Sequence, residues 1–138
     1  MSRIRVRHSK KSKYYLEKHA LYTAIHYALQ YLEWKEEHKA LVEKGAGALC
    51  YSDEPHGTDV TRPTERDGLR AYELARKIEI IENAVVEAAA PAVQPYLLYA
   101  VTHEYVSFAD LEAKEIPCGR KYYYAARRKF YWYLSSKI

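Results

Sequence analysis

The sequence predicts an all-α protein: a long antiparallel helical hairpin followed by a C-terminal helix-turn-helix. Three observations lead there. Apolar residues recur at alternating steps of three and four over long stretches. Glycine and proline are nearly absent from 9–44 and cluster in 45–63, near 91–95 and at 117–119. With 138 residues, 49% of them hydrophobic, the chain has material for one packed core with a short appended module.

The first helix is expected from about Ser12 to Lys44. Ala20, Ala24, Tyr27, Tyr31, Trp34, His38 and Leu41 form one stripe along it, and Gly45 ends the pattern. Residues 45–62 read as a long loop. A second helix opens near Pro63 or Thr64, with proline suited to the first turn and Thr61 or Thr64 as cap. Ala71, Leu74, Ile78, Ile81, Val85 and Ala88 supply its apolar stripe, and Ala90-Pro91 breaks it. The two stripes suggest coiled-coil-like packing of an antiparallel pair.

A short third helix is expected over Gln94 to Glu104, carrying Leu97, Leu98 and Val101. Ser107 can cap a very short fourth helix, Phe108 to Lys114, with Asp110 placed as in a capping box. Glu115 to Gly119 is a turn, and the last helix runs to about Ser136. This gives a basic arm (1–13), a hairpin (14–90) and a helix-turn-helix (91–138).

Charge is distributed unevenly. Residues 1–13 and 119–138 each carry +6 and no acid. All 18 acids lie in 14–118, which sums to −8 and leaves a net +4. Basic ends on an acidic body suggest an anionic partner.

The sharpest signal is GRKYYYAARRKFYWYLSSK, 119–137. At ~100° per residue, Tyr122, Tyr123, Ala126, Phe130, Tyr133 and Leu134 share one arc, expected to face the core. The opposite arc holds Arg120, Lys121, Tyr124, Arg127, Arg128, Tyr131 and Ser135. A basic, tyrosine-rich face without an acid suits double-stranded DNA. Arg and Lys neutralise phosphates, Arg reads guanine in the major groove, and Tyr hydroxyls bond phosphate or base edges. A short helix, a tight turn and a longer helix is the layout that places a recognition helix in the groove. Arg3, Arg5 and Arg7 form an arm suited to the minor groove or backbone. The DNA-contacting candidates are therefore Arg120, Lys121, Tyr124, Arg127, Arg128, Arg3, Arg5 and Arg7. A cationic helix that merely caps the domain explains the same pattern. Insertion in lipid is disfavoured, because the aromatic face is needed for the core.

The segment LLYAVTHEYVSFADLEAKEIPCGRKYYYAARRKFYWYL, 97–134, resembles the DNA-binding end of phage-encoded transcriptional regulators of the ArpU and RinA type. That end is similar to the helix-turn-helix of sigma factor region 4. The resemblance lies in a short helix, an isoleucine-containing turn, and a Tyr-Tyr-x-x-Arg-Arg-like helix. It implies recognition roles for Tyr123, Tyr124, Arg127 and Arg128. PHGTDVTRPTERDGLRAYELARKIEIIENAV, 55–85, is similar to the central part of such proteins. A phage DNA-packaging subunit of the small-terminase kind shares this chemistry. An interaction protein that blocks a host nucleoprotein such as RNA polymerase, without touching DNA, is the third alternative.

Phosphate-binding, dinucleotide-binding and nucleophile-elbow motifs are missing, and His103-Glu104 does not extend to HExxH. Cys50 and Cys118 lack metal-ligand spacing, and His19 and His26 read as a surface pair. No enzyme, cofactor or metal is expected, and no catalytic residue is assigned. The basic segment 1–13 does not read as a secretory signal. A reducing, cytoplasmic setting with free thiols is expected, together with a homodimer as one assembly option.

Overall fold

Residues with small or unbranched side chains and no glycine or proline breaks carry most of the helices, and breaker residues mark several of their ends. The computed structural model describes residues 12–45 and 65–138. They form six α-helices and, among the described residues, no strand: α1 (Lys18–Leu29), α2 (Tyr31–Glu43), α3 (Glu65–Ala88), α4 (Gln94–Thr102), α5 (Phe108–Ala113) and α6 (Arg120–Lys137). None of the described helices is long and apolar enough to cross a membrane. The expected loop 45–62 beyond Gly45, the Thr61–Thr64 cap, Cys50 and the arm Arg3, Arg5 and Arg7 lie outside the described residues.

The expected single helix over 12–44 is two helices. The division falls at Gln30, where α1 closes with a tightened turn, Gln30 N–H donating to Tyr27 C=O at 3.2 Å. The buried positions shift accordingly. Leu21, Ala24, Ile25 and Ala28 line the inner face of α1, while Ala20 and Tyr27 are half-buried. The stripe of α3 matches its expectation at every position: Ala71, Leu74, Ile78, Ile81, Val85 and Ala88 are all buried.

The chain divides into two compact units, whose limits fall within α2 and α3. One unit takes its described residues from 12–31 and 80–138, the other from 32–45 and 65–79. In the second unit, Arg70 grips Glu37 with two hydrogen bonds, 2.7 and 3.0 Å, and Lys44 lies 3.4 Å from Asp67. Lys77 sits 5.1 Å over the buried Trp34 ring. The partners run in opposite order along α2 and α3, and Trp34, Ala71, Leu74 and Ile78 are buried there.

In the first unit, α1, α4 and α6 pack on one another. Ala24, Ala28, Ala84, Ala100 and Ala126 are almost fully enclosed. Their small side chains permit close approach of helices, while Phe130, Leu97, Leu111 and Leu134 fill the space between. Tyr31 donates its hydroxyl to Glu82. Lys137 pairs with Glu87 at 2.9 Å.

Candidate nucleic-acid interface

Local sequence chemistry builds the segment from Ser107 to Gly119. Ser107 accepts the Asp110 amide at 3.2 Å, and Asp110 accepts the Ser107 amide at 2.8 Å. This reciprocal capping box starts α5 where the sequence placed it. The helix ends in a Schellman motif. Ile116 N–H bonds Leu111 C=O at 3.1 Å, and Glu115 N–H bonds Glu112 C=O at 2.9 Å. The left-handed position of that motif is Glu115, with φ 65°, where glycine is usual. Gly119 then caps α6 in extended backbone.

The first turn of α6 is anchored on α5 by aromatic packing. The Phe108 and Tyr123 rings are 5.6 Å apart, and the Arg120 guanidinium lies 5.1 Å from the Phe108 ring centre. Arg120 and Lys121 are exposed. Tyr124 is half-buried, edge-on to Tyr123 at 4.9 Å.

The arc that α6 buries is not the expected one. Tyr123, Ala126, Phe130, Tyr131 and Leu134 are buried, whereas Tyr122 is exposed and Tyr133 is half-buried. At ~100° per residue the buried arc is rotated by about 50° toward the basic face. Tyr131, expected outside, is therefore in the core. Tyr122, expected inside, lies on the rim, where its hydroxyl accepts the Ala90 amide at 2.9 Å. That amide follows the end of α3 and would otherwise lack a helical partner.

The same rotation changes the environment of the two central arginines. Arg127 is half-buried. It donates to the Tyr123 hydroxyl at 3.2 Å, and its guanidinium lies 6.0 Å from the Tyr131 ring centre. Burial pushes the Tyr123 phenol up to about 12, against the opposing pull of Arg127. Burial likewise raises Tyr131. Nε of Arg127 and of Arg128 is buried without a hydrogen-bond partner among the described residues. Arg128 is half-buried overall.

A second cationic group joins this surface. Tyr14 meets Trp132 edge-on at 5.3 Å and lies 6.4 Å from Tyr133. Lys13 and Lys129 each stand 5.6 Å from the Tyr14 ring centre, and Lys13 is 5.8 Å from Trp132. The stretch that follows the basic segment 1–11 is thus fastened to the flank of α6. Sequence reasoning missed this cluster, and nothing local signals it, because Tyr14 and Trp132 are brought together by folding alone. The Arg127 environment did leave a signal: Tyr123, Arg127 and Tyr131 are four residues apart, neighbours on successive turns.

The structure thus brings together Arg120, Lys121, Tyr124, Arg128, Lys129 and Lys13 on or beside α6, and turns Arg127 toward two tyrosines. Among the described residues no group of His, Cys, Asp and Glu could hold a metal ion. Cys118 is a half-buried free thiol that burial pushes above its ordinary pKa. No family model, curated protein or solved structure matches the chain.

Proposed function

We propose that the protein is a double-stranded-DNA-binding regulator of the phage type, with α5, the turn and α6 acting as a helix-turn-helix and α2 and α3 as a supporting antiparallel hairpin. The observation that carries this reading is the outer surface of α6. It exposes Arg120 and Lys121 and half-exposes Arg128 and Lys129, without one acid between 119 and 138. The Lys137–Glu87 pair neutralises the far end, so the free positive charge concentrates toward the N-terminal half of the helix. Recognition helices meet base edges with that half.

Arg120, Lys121 and Arg128 then serve phosphates or guanine edges, and Tyr124 offers a hydroxyl beside them. Lys13 and Lys129 flank the groove contact. Arg127 acts by holding the helix face in place through Tyr123 and Tyr131.

The test is duplex binding across a salt series for the intact chain and for Arg120→Ala/Lys121→Ala. Losing two phosphate contacts lowers the slope of log K against log salt by roughly 2. Both residues are exposed, so helicity should be unchanged. Equal slopes, or no binding at low salt, reject the reading.

A further inference from the structure

The outer face of α3 carries a pattern that its inner face does not explain. Leu69, Tyr72, Arg76, Glu79, Asn83 and Val86 recur at steps of three, four, three, four and three, and all six are exposed. Leu69, Tyr72 and Val86 are 62%, 64% and 58% exposed, so this helix spends three large hydrophobic side chains on solvent. The stripe runs about 26 Å along one continuous helix. A three-four repeat is the seam of a two-helix coiled coil.

We propose that this stripe is the seam of a homodimer in which α3 pairs with α3 of a second copy, antiparallel. The charge order is what identifies the occupant. Place a two-fold axis through the middle of the stripe, between Arg76 and Glu79. Arg76 then faces Glu79 of the second copy, and Glu79 faces its Arg76. Tyr72 meets Asn83, and Leu69 meets Val86, at both ends. A parallel pair in register would instead set Arg76 on Arg76 and Glu79 on Glu79. The flanks agree with the antiparallel order: Arg66 falls opposite Glu87, while Gly68 and Ala75 leave the other flank open for close approach. Glu87 already holds Lys137, so it would be shared. Self-complementarity about a two-fold is the requirement of an isologous interface, and a different partner would not impose it.

This inference does not depend on DNA binding. It is tested on the full chain by sedimentation equilibrium with a charge-swap cycle. Wild type should dimerise. Arg76→Glu and Glu79→Arg should each weaken the dimer tenfold or more, because each sets like charges face to face. Arg76→Glu/Glu79→Arg should restore it, and an equimolar mixture of the two single variants should form heterodimers. In a Cys50→Ser/Cys118→Ser background, a Leu69→Cys chain mixed with a Val86→Cys chain should form an oxidised cross-link that neither chain forms alone. A monomer at millimolar concentration overturns the proposal. So does a dimer indifferent to the single swaps, or cross-linking of Leu69→Cys chains with each other.

Discussion

Arg127 donates a hydrogen bond at 3.2 Å to the hydroxyl of Tyr123, one turn earlier on α6, and its guanidinium faces Tyr131 one turn later. Among the described residues no acid is paired with this cluster. The arginine is held by packing, by the phenols of Tyr123 and Tyr131 and by the Tyr131 ring. Its long stem fills space beside the core, so truncation should act through lost packing as well as lost charge. Arg127→Ala should destabilise the fold by about 1–2 kcal/mol, below the range for emptying a fully buried long side chain, because Arg127 is half-buried. Arg127→Met keeps the volume and removes an incompletely bonded guanidinium, so it should lie within about 1.5 kcal/mol of wild type. Urea unfolding measures both. An Arg127→Ala variant as stable as wild type would mean that the side chain is free in solution.

The turn between α5 and α6 holds a second testable feature. Glu115 occupies a left-handed conformation, φ 65°, that costs a non-glycine residue roughly 1–2 kcal/mol. Glu115→Gly relieves that cost and adds backbone entropy to the unfolded chain. The net expectation is a gain of about 0.5–1 kcal/mol in urea unfolding. A β-branched residue at the same site, Glu115→Val, should be destabilising. If glycine brings no gain, the Schellman geometry is not formed in solution.

Buried phenols set an alkaline limit. Burial raises Tyr123 from 10.0 to about 12 in the folded chain, and raises Tyr131 in the same direction. The neutral form is therefore favoured by folding. That stability is complete below pH 10, and is lost as the pH rises from 10 through the folded value. Tyrosinate absorbance should rise in two steps, with Tyr123 and Tyr131 ionising after the exposed tyrosines or together with unfolding. Tyr123→Phe and Tyr131→Phe should each shrink the late step. A single step near pH 10 would contradict the burial of both rings.

Where chemistry is local, the sequence determined the structure closely. The Ser107–Asp110 box, the break at Ala90-Pro91 and the buried stripe from Ala71 to Ala88 depend on neighbours within a turn or two. Those neighbours are present in the sequence order itself. The helical class and the extent of α5 and α6 followed from them.

Tertiary structure decided which way the helices turn their faces. Tyrosine and arginine are each both apolar and polar, so in α6 periodicity alone could not separate the arc through Tyr122 and Tyr133 from the arc through Tyr131. Packing of α6 with α1 and α4 chose the second, enclosing Tyr131 and drawing Arg127 inward. The division at Gln30 has the same kind of origin. Nothing at that residue forbids a helix, and the tightened turn there, Gln30 N–H to Tyr27 C=O, is not written in the local sequence. The meeting of Tyr14 with Trp132 was invisible for the plainest reason: 117 intervening residues had to fold before the two rings could touch.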